Sequence, residues 1–215
     1  MKFLDQLSEE DIINLLRIDL SIENPGYPVT ISLGVKLAAV LIPLLRFRNV
    51  KGEFQWHILL THRTDRVADH KNQVSFPGGQ ADSEDIAPEN TALREAYEEI
   101  GIKPEDVRLA GRLEPLLTIS NYLVTPVVGF IPYPYPFRLQ HEEVSRIFTI
   151  PLSWLADSRN HEIREREWKD QSGKAHSHPV IFFSPYDGET LWGVSAEITL
   201  RFLDKLKKAL KKIEP

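Results

Sequence analysis

Nine consecutive residues from Leu37 to Leu45, set between Lys36 and Arg46, carry no polar side chain. The run is too short to span a bilayer and contains Pro43, so it belongs inside a folded core rather than a membrane. The wider segment Val35 to Phe47, dominated by Val, Leu, Ile and Ala, reads as a buried strand. With 215 residues, 42% of them hydrophobic and 27% charged, the chain has ample material for one core and is neither disordered nor fibrous. It contains no Cys, which excludes disulfide scaffolds, thiolate zinc sites, cysteine nucleophiles and iron–sulfur clusters. A net charge of −5 argues against a nucleic-acid binder. The first residues turn acidic at once without a signal-peptide core, and KKIEP at the end carries no lipidation signal. A cytoplasmic protein with no membrane partner is the expectation.

The remaining pattern predicts one α+β domain over residues 1–215. Ser8 and Asp11 approximate a capping box for an amphipathic helix over about 5–18, with Leu7, Ile12, Leu15 and Leu16 on its apolar stripe. Residues 22–34 read as a loop. Asn49 to Gly52 reads as a turn joining Val35–Phe47 to a second strand, Phe54–Thr61. A polar stretch, Arg63–Ser75, leads into the tight Phe76-Pro77-Gly78-Gly79. Pro88 to Ile100 reads as a helix capped by Gly101. Strands are expected near 107–117, 124–131, 147–151 and 180–183, a hairpin within 157–178, and a closing helix over about 195–212. The alternating prolines of 132–136 predict a stiff loop.

Within the 88–100 helix, Arg94-Glu95-Ala96-Tyr97-Glu98-Glu99-Ile100-Gly101 places Glu95, Glu98 and Glu99 on one narrow face, with Leu93, Ala96 and Ile100 on the other. Such like-charge neighbours at i,i+3 and i,i+4 each cost a few tenths of a kcal/mol. They also lie toward the negative end of the helix dipole. A hard divalent cation relieves both penalties, and Mg²⁺ favours carboxylate oxygens together with substrate phosphates. The competing reading is a solvated acidic face with Arg94 paired to one Glu.

Residues Gly79 to Ile102, GQADSEDIAPENTALREAYEEIGI, resemble the Nudix box, G-x5-E-x7-R-E-U-x-E-E-x-G-U with U aliphatic. Arg94, Glu95, Ala96, Glu98, Glu99, Gly101 and Ile102 match its second half in order. Fourteen residues separate Gly79 from Arg94, one more than the pattern allows, which leaves the first acidic position between Glu84 and Asp85. The resemblance implies an α/β/α sandwich with a mixed β-sheet and a loop–helix–loop that binds Mg²⁺ or Mn²⁺. It further implies hydrolysis of nucleoside diphosphates linked to another group. Carried over by position, Glu95 and Glu99 are expected metal ligands, with Glu98 a further one and the Gly79 carbonyl an addition. Arg94 is expected to orient the glutamates.

Upstream, Leu59-Leu60-Thr61-His62-Arg63-Thr64, then His70, then Gln73-Val74-Ser75-Phe76-Pro77-Gly78-Gly79 resemble the signature of the coenzyme A diphosphatase branch, with Asn72 where that branch has Gly. The one-residue-longer box is also usual there. Fainter similarity continues at His141–Val144, Pro151–Leu155 and Leu191–Ala196. The implied reaction is hydrolysis of the diphosphate of CoA or acyl-CoA to 4′-phosphopantetheine and adenosine 3′,5′-bisphosphate. Arg63, Arg66, His70, Lys71 and Gln73 supply cations and donors within one loop; Arg63, His70 and Gln73 are the substrate-binding candidates. A solvated loop is the plainer reading of Arg66 and Lys71.

Water attack on one phosphorus needs a general base, and the candidates are Glu95, Glu98 and the Glu142/Glu143 pair. Rival readings keep the chemistry with NADH or ADP-ribose as substrate, or keep only nucleotide binding. A homodimer is common in the family. His176 and His178 read as solvent-exposed, the Lys residues of the last helix as its solvated face, and Trp154, Trp168 and Trp192 as core. Gly193-Val194-Ser195-Ala196-Glu197 lacks the closing Gly of a nucleophile elbow.

Overall fold

The computed structural model describes residues 4–17, 34–65, 73–169 and 175–213. The loop expected at 22–34 lies mostly outside them, as do Arg66, His70, Lys71 and Asn72. Ser8 and Asp11 form a reciprocal capping box, Ser8 N–H to Asp11 Oδ2 at 2.8 Å and Asp11 N–H to Ser8 Oγ at 3.1 Å, and start α1 (Glu9–Arg17). The apolar run becomes β1 (Lys36–Arg48), which turns through Asn49–Gly52 into β2 (Phe54–Arg63). Then follow β3 (Val74–Ser75), β4 (Gly78–Gln80), α2 (Pro88–Ile100), β5 (Arg108–Arg112), β6 (Leu116–Leu117), β7 (Tyr122–Phe130) and β8 (Val144–Pro151). The chain closes with α3 (Leu152–Leu155), the hairpin β9 (His161–Lys169) and β10 (Ala175–Phe183), and α4 (Gly193–Ile213).

Strand β1 lies at the centre of a mixed sheet, parallel to β7 on one edge and antiparallel to β4 and β2 on the other. Its residues alternate between two cores. Ala39, Leu41 and Leu45 face α2 with Leu59, Ala92, Ala96 and Ile100. Ala38, Ile42 and Leu44 face a larger core built with α1, α3 and α4, which contribute Leu16, Leu152 and Phe202. Burial on both faces explains why the run shows no polar alternation. Pro43 is tolerated because of where its missing donor falls. Leu41 N–H donates to Pro77 O at 2.9 Å, so odd residues of β1 direct their amides to the β4/β2 edge. Pro43 lies there in the gap between Val40, paired to β4, and Leu44, paired to β2.

Some expectations shift. The strand expected over 107–117 is split into β5 and β6, with a register irregularity between Leu109 and Gly111. β8 starts three residues earlier and β10 five residues earlier than the apolar pattern indicated, because their outer ends are polar. In α4, Ile198, Phe202 and Leu206 are buried; the side chains of Leu210 and Ile213 lie outside the described set. Trp154 packs against the core beside Tyr186, and Trp192 stacks on Phe182. The side chains of Trp168 and His176 are not among those described, and His178 is half-buried. Among the described residues, no helix is long and apolar enough to cross a membrane.

Candidate active site

Two short antiparallel pairings bring the glycines beneath the carboxylate helix. Gly78 and Gly79 on β4 pair with Val40 and Ala39 on β1, directly under α2. The helix begins with Pro88 at its first turn, and Asn90 Oδ1 accepts from Ala87 N–H at 3.0 Å. It ends at Gly101, whose φ of 73° is the left-handed conformation that a C-terminal cap requires. Its last carbonyls do not face solvent. Ile100 O accepts from Arg138 N–H at 3.0 Å and Glu99 O from Gln140 N–H at 2.8 Å. That pinning carries the following turn, 140–143, to the same end of the helix. Thr64 fixes it from the other side, N–H to Glu143 O at 2.8 Å and Oγ1 to Glu142 O at 2.7 Å.

The three box glutamates do not share one environment, which corrects the picture of a single narrow acidic face. The side chain of Glu99 is 3% exposed, that of Glu95 17%, and that of Glu98 56%. Glu99 shares the core-facing side with Ala92 and Ala96, while Leu93 is only half-buried. Each carboxylate has a partner. Arg63 Nη1 donates to Glu99 Oε1 at 3.0 Å, and Gly78 N–H to Glu99 Oε2 at 3.3 Å. Arg94 Nη1 reaches Glu95 Oε1 at 2.9 Å and Glu98 Oε2 at 3.2 Å, while its Nη2 reaches Gln80 O and Asp85 Oδ2, both at 3.0 Å. Arg94 thus clasps helix, strand and box loop together, at the wall of a hollow it lines with Asp82, Asp85 and Asn90. Asp85, which also accepts from Thr91 Oγ1 at 2.9 Å and from Asp82 N–H at 2.9 Å, takes the first acidic position of the motif. The extra residue is absorbed in the loop.

Arg63 departs from the loop reading. It is the last residue of β2, and its guanidinium Nη1 holds the buried Glu99 carboxylate. Gln73 stands directly opposite, its carbonyl accepting from Arg63 N–H at 3.0 Å, so both ends of the intervening segment are anchored beside Glu99. His70 lies outside the described residues. Glu143 is exposed and faces Glu95 and Glu99 closely enough to perturb both.

Electrostatics follow from this crowding. Burial pushes Glu99 up to about 8; Arg63 opposes the shift, and the charges of Glu95 and Glu143 add to it. Glu95 is raised for the same reason, with Arg94 opposing and Glu98 and Glu143 reinforcing. Burial would raise Asp85, but hydrogen bonds from Arg94, Asp82 and Thr91 hold it below the ordinary range. Burial works against the charge on Arg94, yet its bonds to Asp85 and Glu95 keep it firmly protonated.

Among the described residues, no three His, Asp or Glu side chains converge into a finished ligand cluster. The donor chemistry nonetheless fits a hard divalent ion: carboxylates only, no sulfur, two of them desolvated and mutually repelling. Gly79 adds room. A Cβ there would lie 2.5 Å from Glu95 Cδ and Oε1, so the missing side chain is what lets that carboxylate rest on the β4 backbone. Sequence reasoning had no signal for the depth of Glu99 or for Arg63 as its counter-ion, since both depend on how β2 and α2 meet.

Comparison with known proteins agrees with the geometry. A model of the NUDIX domain family matches residues 36–172. The chain is 41% identical over 162 residues to a protein named uncharacterized Nudix hydrolase NudL from Enterobacter sp. (strain 638), covering 75% of this chain and 78% of that one. It is 40% identical over 162 residues to the NudL of Yersinia pestis (strain Pestoides F), covering 75% of each. A solved structure of a Nudix hydrolase from M. smegmatis, RenU, aligns with a TM-score of 0.49 at 17% identity, covering 84% of this chain and 88% of that one.

Proposed function

The chain belongs to the Nudix family of hydrolases, and we propose that its substrate is coenzyme A or an acyl-CoA, cleaved at the diphosphate. The reading is carried by the sequence Leu59–Thr64 and Gln73–Gly79, the branch-specific segment that resembles CoA diphosphatases. Its placement supports the reading: the two halves meet at the Arg63–Gln73 hydrogen bond, beside the box glutamates. His70 and Gln73 remain the proposed substrate contacts, whereas Arg63 is assigned to holding Glu99.

Glu95, Glu98 and Glu99, with the Gly79 carbonyl, would hold Mg²⁺ or Mn²⁺. When bound, the ion supplies positive charge that offsets the diphosphate oxygens and favours attack by water. Arg94 keeps Glu95 and Glu98 in position through its bonds to Asp85 and Gln80 O. Arg63 opposes the rise that burial imposes on Glu99, and a bound divalent ion would add to that opposition. For the general base, Glu143 is the best placed: it faces Glu95 and Glu99, is open to water, and among the described residues is not paired to an arginine as Glu95 and Glu98 are. It would take a proton from the water as its oxygen bonds to phosphorus. The phosphoanhydride bond breaks, giving 4′-phosphopantetheine and adenosine 3′,5′-bisphosphate.

The test is turnover of CoA, acyl-CoAs, NADH, ADP-ribose and deoxynucleoside triphosphates with Mg²⁺ and with Mn²⁺. The proposal requires the highest kcat/KM on CoA or an acyl-CoA. A preference for NADH or ADP-ribose would transfer the same machinery to another nucleoside diphosphate. Binding without turnover on every compound would make the domain a sensor.

A further inference from the structure

The hairpin of β9 and β10 stands apart from the main sheet, and its two strands treat solvent differently. β10 packs its inner end on α4, with Val180 and Phe183 buried and Phe182 stacked on Trp192 at 5.5 Å. β9 is the outer strand. Residues 162 to 167 are exposed on both faces, and among the described residues no strand pairs with its outer edge. An isolated two-stranded ribbon is marginal in water, and an open edge offers unpaired backbone donors and acceptors to another strand.

The sequence of this edge says what fits it. From His161 it reads His-Glu-Ile-Arg-Glu-Arg-Glu, with Ile163 66% exposed among charges. Two copies joined edge to edge by a two-fold axis pair antiparallel, and a residue i then faces a residue j with i + j constant. Centred on Ile163, the pairing sets Ile163 against Ile163, Glu162 against Arg164, and His161 against Glu165, each on the same face. The half-buried His161, whose ring packs on Phe183, then stands opposite a carboxylate. Neighbouring centres fail. Centring on Glu162, Arg164, Glu165 or Arg166 places that charge against itself, and centring on Glu165 also sets Arg164 against Arg166. Charges commonly guard an edge against pairing; here they oppose the registers next to Ile163, and the remaining complementary centre, Trp168, engages only Glu167 with Lys169 within the strand, whereas the Ile163 centre engages residues 161 to 165.

We propose that the outer edge of β9 is a self-complementary interface through which two copies of this chain form a two-fold dimer centred on Ile163. The pairing joins the two hairpins into one four-stranded sheet and leaves the box helix α2 of each copy free.

Sedimentation velocity on the full chain tests this, with circular dichroism to verify folding. Wild type should show twice the monomer mass. Glu162→Arg and Arg164→Glu each place like charges opposite and should give monomer; the double variant carrying both changes should restore the dimer. Because the chain has no Cys, Ile163→Cys provides an independent reading: mild oxidation should link two copies, since directly opposite Cβ atoms lie about 5 Å apart. Glu167→Cys, far from its own symmetry mate, should not link. A monomeric wild type, single variants that stay dimeric, a double variant that fails to recover, or no cross-link at position 163 would each overturn the proposal.

Discussion

Adding one methyl group at Gly79 presses on the Glu95 carboxylate while leaving both cores untouched. The new Cβ would sit 2.5 Å from Glu95 Cδ and Oε1 and 2.7 Å from Oε2. Carbon contacts settle at about 3.5–4.0 Å, so the carboxylate must retreat by about 1 Å. The clashing atoms are the end of a flexible side chain, and Gly79 is not in the left-handed region, so the backbone has no reason to move. The cost to stability is about 1 kcal/mol, a fall in Tm of about 2–4 °C for a chain of this size. The cost to catalysis is larger, because a misplacement of about 1 Å lowers turnover about 100-fold. Gly78→Ala is the control. Its Cβ would meet backbone, Ala39 O at 2.5 Å and Val40 Cα at 2.6 Å, on the central strand. That variant should lose about 3 kcal/mol or more. Thermal melts and steady-state turnover at saturating Mg²⁺ separate the two. Gly79→Ala with full activity, or one that melts as early as Gly78→Ala, would refute the reasoning.

Above about pH 8, where Glu99 is ionised, Arg63→Met should destabilise the metal-free protein by up to about 3 kcal/mol, because it strands a buried carboxylate without its cation. Adding Glu99→Gln should recover most of that stability in urea titrations without recovering turnover; no recovery would mean that Arg63 serves the fold through other contacts. Glu143→Gln should lower kcat about 100- to 10,000-fold with little change in melting or Mn²⁺ affinity, and unchanged kcat would hand the base to a box glutamate. His57, buried beside Phe47 and Thr149, is held at about 4 by burial against an ordinary 6.5. The unfolded chain therefore takes up its proton first on acidification. The stability this neutral imidazole contributes is complete above pH 6.5 and lost as pH falls toward 4. In urea titrations, His57→Phe should accordingly gain on wild type by up to about 3 kcal/mol between those limits; a constant difference would contradict the assignment.

The parts of this fold legible from sequence are those set by local pattern. The Ser8–Asp11 box, the Asn49–Gly52 turn and the Pro88 and Gly101 limits of α2 stand where their residues placed them, because each depends on neighbours within a few positions. The outer halves of β8, β9 and β10 were less visible, since exposed Glu, Arg and Ser carry no apolar alternation. At the site, the helix phase grouped Glu95, Glu98 and Glu99, but phase does not say which way the helix rolls onto a sheet. Packing of Ala92 and Ala96 on Leu41 and Leu59 turned Glu99 inward, and only then did Arg63, distant in sequence, become its partner. Asp85 against Glu84 was likewise settled by reach, since Asp85 alone of the two bonds Arg94.

The claim on which the mechanism rests is that Glu95, Glu98 and Glu99 hold a divalent ion on the Gly79 backbone. An anomalous difference map from a crystal soaked in Mn²⁺ measures this directly. The account predicts a peak bounded by carboxylate oxygens of Glu95 and Glu99, within about 2–2.5 Å of its ligands. A map with no peak there, with Arg63 and Arg94 still holding the carboxylates as they do now, would contradict it.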